Sequence, residues 1–229
     1  MPIGGRQMID SWPIQHQGKA IMDDSLPLRD ARLAVALGAV SAGGALSLAT
    51  YLAVQGPFGT LNDIGTASAG VLSAALAWRL RRRIRERLRL VAVACAMVGG
   101  AVAVLGSSLV ISGTTGFFLA GLVSSIGYAG IGTWLVMLNR SPLAMSGPRR
   151  LRQLGLLAGG LMLLGFLALP GVAIRLDDMA TAPGWVWIGQ LGWLGIFVAY
   201  PAWALRTGVR ALRGEAAPAP AQLAGERLP

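Results

Sequence analysis

The sequence is poor in the residues that proteins use for metal binding, acid–base chemistry and covalent cross-linking. Among its 229 residues there is one histidine, His16, and one cysteine, Cys95. One cysteine excludes a disulfide scaffold, and Cys95 is most simply a small core residue. One histidine, in a polar N-terminal segment, excludes bis-histidine haem ligation within a membrane, histidine-based metal sites and Ser–His hydrolytic pairs. We therefore expect no cofactor and no metal site.

Charged residues are also scarce. They make up 13% of the chain, whereas a soluble domain has roughly 25%. Hydrophobic residues make up 54%, which excludes both a disordered chain and a water-soluble globular domain. The charges are unequal, because 20 Lys and Arg residues face 10 Asp and Glu residues and give a net charge of +10.

The apolar residues are grouped into long runs. A helix needs about 20 apolar residues to cross a bilayer, and the sequence has six such stretches, at 33–54, 61–80, 90–111, 117–138, 153–174 and 185–205. None shows the alternating pattern of a membrane β-barrel. The sequence therefore predicts an all-α integral membrane protein with six transmembrane helices arranged as three helical hairpins.

The basic residues predict the orientation of this bundle. All but one of the 20 lie before the first stretch, at the end of the second or between it and the third, between the fourth and fifth, or after the sixth; the exception is Arg175. Short basic loops stay in the cytoplasm, so we expect both termini inside a plasma or inner membrane.

The predicted organisation has three parts. Residues 1–32 form a partly disordered cytoplasmic segment, 33–206 the transmembrane domain, and 207–229 a largely disordered cytoplasmic tail. The first twenty residues lack a signal peptide's apolar core, and Met22 is as good a candidate start as Met1.

Glycine recurs in corresponding places of the three hairpins. Each first helix has a glycine pair, at 43–44, 99–100 and 159–160, and each second helix ends near a tryptophan and an arginine. The pattern fits either a threefold internal repeat or the ordinary ends of membrane hairpins. In both cases small residues predict close helix packing inside the bundle. Pro170 should kink or end the fifth helix.

A polar group is predicted at the outer face. It comprises Asn62, Asp63, Arg175, Asp177 and Asp178. The favoured interpretation is structural: Thr60 or Asn62 caps the second helix, and Asp63 complements the helix dipole and pairs with Arg175. The alternative is a site for a cation or a polar substrate group.

A second candidate site lies deeper in the predicted bundle. Tyr128, Gln190 and Trp193, with Ser124 and Ser125, would line a small polar cavity between the fourth and sixth helices. Hydrogen bonding between helices is the favoured interpretation of these residues.

The most basic segment is predicted to contact anionic lipid headgroups at the cytoplasmic face. As a helical extension it would carry an apolar stripe of Leu80, Ile84 and Leu88 and would lie on the membrane surface. The topology accounts for its charge, so we expect no nucleic-acid partner. Its arginines are Arg79, Arg81, Arg82, Arg83, Arg85, Arg87 and Arg89.

Three functions remain open from the sequence. The first is a non-enzymatic membrane or accessory subunit that packs with lipid, with a partner membrane protein or with further copies of itself. The second is a small permease for a neutral or amphipathic solute, and the third is a lipid-modifying enzyme that uses the outer polar group. The absence of an ionisable residue near the centre of any span argues against a proton pump or an ion-coupled antiporter.

Overall fold

The computed structural model describes residues 26–141 and 148–214, and this part of the chain is helical and without strands. Its six long helical segments are α1 (Leu28–Val54), α2 (Phe58–Leu80), α3 (Glu86–Ile111), α4 (Phe117–Arg140), α5 (Arg149–Ala173) and α6 (Gly184–Leu212). Five of them, all except α2, are long and apolar enough to cross a membrane. The all-α prediction is therefore confirmed for the described residues, with five helices that meet this requirement.

Every helix differs from its predicted stretch at one end or both, and the first and last differ most. α1 begins at Leu28, before residue 33, and α6 continues to Leu212, so the first residues of the predicted tail are helical. Helices extend past the apolar stretch because their polar ends reach beyond the hydrocarbon. The disorder predicted for residues 1–25 and 215–229 lies outside the described residues.

Consecutive helices lie side by side and form a closed ring. Short connections join α1 to α2, α2 to α3 and α3 to α4, at residues 55–57, 81–85 and 112–116. Such short connections place neighbouring helices antiparallel. Each helix contacts its neighbours in the chain, and α6 also contacts α1. α2 is thus held between α1 and α3.

Glycine allows the backbones of these helices to touch. A Cβ atom at Gly100 would lie 2.6 Å from the carbonyl oxygen of Gly70, and one at Gly159 would lie 2.8 Å from that of Gly132. Real Cβ atoms do not approach a backbone oxygen so closely, so any larger residue would push the helices apart. In two of the three predicted glycine pairs, one glycine faces open space. A Cβ atom added at Gly43 or at Gly160 would meet nothing within 4 Å.

Two prolines change the local helical geometry. Pro201 lies inside α6, and the turn before it, Gly195–Ala199, is a π-helix. Pro170 follows a 3-10 turn at Leu164–Ala168, and the helix continues to Ala173 rather than ending. A proline ring clashes with the carbonyl four residues earlier and lacks an N–H, which accounts for an irregular turn at each place.

The basic segment is not the surface helix that its pattern predicts. α2 ends at Leu80, a short 3-10 turn covers Arg81–Arg83, and α3 begins at Glu86. Ile84 is extended and is 2% exposed, and Leu80 is also buried. Leu80 and Ile84 are therefore core residues at a turn between antiparallel helices, because the chain must reverse here to pack α3 against α2, whereas Leu88 is exposed.

The half of the bundle in which α2 and α4 end is filled by aromatic rings. Trp203 lies edge-on to Trp134 with ring centroids 6.1 Å apart and stacks on Tyr200 at 5.9 Å. The hydroxyl groups of Tyr200 and Ser73 are hydrogen-bonded at 2.8 Å. We call Trp134, Tyr200 and Trp203 the aromatic layer; all three are buried, and they close this half of the bundle.

The contrast between two adjacent glycines predicts a difference in stability. Gly159→Ala should lower the free energy of unfolding by about 1–3 kcal/mol, because the added methyl group overpacks the contact with α4. Gly160→Ala should leave it unchanged or slightly higher, since its methyl group meets open space and alanine favours the helix. Thermal unfolding of both variants in the same detergent measures the difference, and equal losses would contradict the packing described here.

Candidate solute-binding cavity

A cavity lies in the other half of the bundle, where α2 and α4 begin. Its volume is about 40 Å³, several times the ~10–15 Å³ that one water molecule requires. All helices except α5 contribute to its wall. The polar side chains in the wall are Asn62, Asp63, Thr66, Ser124, Ser125, Tyr128 and Trp193. The structure thus joins part of the predicted outer group and part of the predicted deeper group into one site.

Asp63 is the only charged residue in this wall. It is 9% exposed, and its only recorded hydrogen bond among the described residues comes from Asn62 Nδ2 to its Oδ1 at 3.4 Å. Asn62 is 4% exposed, and its own Oδ1 is buried without a hydrogen-bond partner. Two adjacent side chains of α2 therefore place a carboxylate and an unpaired amide oxygen in a largely apolar site.

The predicted capping role of these residues is wrong. α2 begins at Phe58 after Pro57, and no side chain caps it. A proline at this position has its φ angle already fixed near the helical value, so the helix starts earlier than the polar residues suggested. Asp63 consequently lies beyond the first turn, about 7 Å along the axis from the start of α2.

The predicted ion pair between Asp63 and Arg175 is absent from the described part of the chain. Arg175 is exposed at the end of α5, with a left-handed φ of 54°. Asp177 accepts hydrogen bonds from the backbone N–H groups of Gly116 and Leu119, at 2.6 and 3.0 Å. It therefore caps α4 and complements the positive end of that helix, the role that the sequence favoured for residues of α2.

Two other predicted site residues lie outside the cavity wall. Asp178 accepts a hydrogen bond from the N–H of Ala180 in its own connection. Gln190 is placed before the cavity residues of α6, and its Oε1 is buried without a hydrogen-bond partner. The helical path is interrupted at Leu191, so spacing along an ideal helix did not predict which residues of α6 face the cavity.

Aromatic rings form much of the apolar wall. They belong to Phe117, Tyr128, Trp193 and Phe197. The Tyr128 hydroxyl donates to the carbonyl oxygen of Thr66 at 3.1 Å, and Trp193 Nε1 donates to Ser125 Oγ at 3.2 Å. These two donors are therefore engaged with the protein, whereas Asn62 Oδ1 has no hydrogen-bond partner and Asp63 accepts only the hydrogen bond from Asn62 among the described residues.

The sequence did not single out the two phenylalanines. Phe197 belongs to the π-helical turn, and Pro201 four residues later was the available signal. Widened turns of this kind are frequent at functional sites.

A second carboxylate, that of Asp30, is also buried, and the sequence did not predict it. Asp30 is 6% exposed and accepts a hydrogen bond from Arg79 Nε at 2.6 Å, which joins the start of α1 to the end of α2. Asp30 can therefore be compared with Asp63: both carboxylates are buried, but among the described residues only Asp30 has a cationic partner.

Comparison with protein-family models, curated proteins and solved structures finds no match to this chain. The function is therefore argued from the geometry of the cavity alone.

The two buried aspartates should respond oppositely to neutralisation. Asp63→Asn should leave the melting temperature unchanged or raise it, because a buried charge without a cationic partner is removed. Asp30→Asn should lower the unfolding free energy by about 1–2 kcal/mol, because it weakens a charge-assisted hydrogen bond. Thermal unfolding in ligand-free detergent is the measurement. A loss for Asp63→Asn as large as that for Asp30→Asn would show that Asp63 has a structural role.

Proposed function

We propose that the protein is a small permease and that its cavity binds an ammonium-type cation, meaning ammonium or a small protonated amine. The observation that carries this proposal is a buried carboxylate, Asp63, that has no cationic partner among the described residues and lines a cavity walled by aromatic rings. A bound cation would supply the missing charge.

Charge and hydrogen bonding favour this solute class over a neutral one. A buried carboxylate is costly unless a positive charge or hydrogen-bond donors compensate it. An ammonium group provides both, and it can donate to Asp63 and to Asn62 Oδ1 together. No lysine, arginine or histidine lines the cavity to compete for Asp63.

The aromatic wall favours the same class. Cations are attracted to the faces of tryptophan, tyrosine and phenylalanine rings, and sites for organic ammonium groups use such rings. The cavity volume of about 40 Å³ accommodates a ligand on the scale of about three water molecules. No group of three or more His, Cys, Asp or Glu side chains suitable for a metal ion occurs in residues 26–141 and 148–214. The cavity therefore suits a divalent metal ion, which needs several carboxylate ligands, less well than an ammonium-type cation.

In the proposed permease, all six helices span the membrane and both termini lie in the cytoplasm. In support, α2 is held in the ring between two apolar helices although it carries several polar residues. With this orientation the cavity lies in the outer half, and the aromatic layer separates it from the cytoplasm. Transport then requires the aromatic layer to open while the outer half closes.

The cavity distinguishes this proposal from the two alternatives. An accessory subunit that only packs with lipid or partner helices has no use for an unpaired buried carboxylate. A lipid-modifying enzyme would need the outer polar residues gathered at one interface, whereas Asp177 caps α4 and Asp63 faces the cavity.

Uptake of labelled methylammonium into proteoliposomes tests the function. The wild-type protein should give saturable uptake above that of protein-free liposomes, and Asp63→Asn should reduce it at least about tenfold, because one missing charge-assisted contact is worth more than about 1.4 kcal/mol. Asp178→Asn is the matched control, since it neutralises an exposed aspartate outside the cavity, and should retain uptake. Uptake no faster than in protein-free liposomes, or equal uptake by the two variants, would contradict the proposal.

Cysteine labelling tests the orientation. In a Cys95→Ala background, a cysteine at Thr114, in the exposed α3–α4 connection, should react with an impermeant thiol reagent added to intact cells. A cysteine at exposed Arg87, near the opposite end of α3, should react only after lysis. The reverse pattern would overturn the proposed topology.

A further inference from the structure

A second pocket lies at the opposite end of the bundle from the Asp63 cavity, between the start of α5 and the end of α6. Its volume is about 380 Å³. Among the described residues, its wall combines four arginines with apolar side chains and contains no acidic residue: Pro148, Arg150, Leu151, Leu205, Arg206, Val209, Arg210 and Arg213. We call it the α5–α6 pocket. It is distinct from the basic segment at residues 79–89, where the sequence predicted lipid contact.

Three arginines of this pocket, Arg150, Arg206 and Arg210, form no ion pair with a carboxylate in the described part of the chain. Arg210 is half-buried, whereas Arg150 and Arg206 are exposed. Like charges held together in this way repel one another unless an anion lies between them.

The start of α5 adds a second positive feature. α5 begins at Arg149 without a side-chain cap and without an acidic residue in its first turn. A helix N-terminus carries the positive end of the dipole and free N–H groups, and arginines there are unfavourable. An anion at this place would satisfy the N–H groups and offset the repulsion.

We propose that the α5–α6 pocket binds the phosphate headgroup of an anionic phospholipid. Guanidinium groups bind phosphate oxygens in a two-pronged geometry, and basic pockets between membrane helices bind such headgroups.

Apolar side chains identify the ligand as a lipid rather than a free phosphate. Leu151, Leu205 and Val209 stand beside the arginines in the wall. Leu157, two turns further along α5 from Arg150, is 57% exposed on the outside of the bundle. A phosphate bound by the arginines would therefore have an apolar helix surface alongside it for its acyl chains.

Binding of short-chain phosphatidylglycerol to the full-length protein in neutral detergent tests the proposal, with thermal unfolding as the measurement. Wild type should be stabilised by dioctanoyl phosphatidylglycerol, and neither dioctanoyl phosphatidylcholine nor inorganic phosphate at equal concentration should reproduce the effect. The double variant Arg206→Gln/Arg210→Gln should bind phosphatidylglycerol at least about tenfold more weakly.

The matched control removes two arginines that lie outside both the pocket wall and the segment predicted to contact lipid. Arg29→Gln/Arg32→Gln changes the net charge equally, and both of these side chains are exposed. This control should retain the affinity of the wild type.

Three outcomes would overturn the proposal. Equal stabilisation by inorganic phosphate would make the ligand a free phosphate, and equal loss in the control would make the effect one of general charge. If phosphatidylglycerol does not stabilise the wild type, the pocket does not bind this lipid. If the double variant does not fold, the single variant Arg150→Gln replaces it, and unchanged affinity there would also count against the pocket.

Discussion

The contact of helix backbones at glycine is the constraint on which the rest of the structure depends. In a bilayer, helices gain little from burying apolar side chains against each other, because lipid is equally apolar. Association then relies on close van der Waals contact, which Gly70 with Gly100 and Gly132 with Gly159 provide across α2–α3 and α4–α5. These contacts draw the ring tight enough for α2, the least apolar helix, to be held between its neighbours. The polar face of α2 is thereby placed inside the bundle.

The two halves of the bundle use that interior differently. One half is closed by the aromatic layer and by the hydrogen bond between Ser73 and Tyr200. The other half leaves a cavity beside Asn62 and Asp63, where the π-helical turn before Pro201 places Ile196 and Phe197 in the wall. Pro201 in α6 therefore shapes the wall of the cavity that Asp63 in α2 also lines. The proposed permease uses the cavity to bind its solute and the aromatic layer as the barrier that must open.

Hydropathy was sufficient to predict the helical class and the approximate limits of the six helices, because the length of an apolar run follows from bilayer thickness alone. It was not sufficient to predict which residues meet. Asp63 and Arg175 share a predicted outer level, but no ion pair joins them in the described residues, and the helix cap is made by Asp177 instead. Gly159 and Gly160 are equivalent in the sequence, yet only Gly159 touches α4. The run at residues 79–89 has a helical period, but chain reversal buries Ile84 at a turn. Each of these outcomes depends on helix rotation and on tertiary neighbours, which local pattern does not specify.

In the proposed permease, the carboxylate of Asp63 is the counter-charge for a cation bound in the cavity. Isothermal titration of the purified protein with methylammonium chloride is the decisive measurement, because it detects binding without any requirement for transport. We expect saturable binding of one methylammonium per chain to the wild type and no measurable binding to Asp63→Asn, with Asp178→Asn indistinguishable from wild type. Equal binding by wild type and Asp63→Asn, or no binding by wild type, would contradict the proposal.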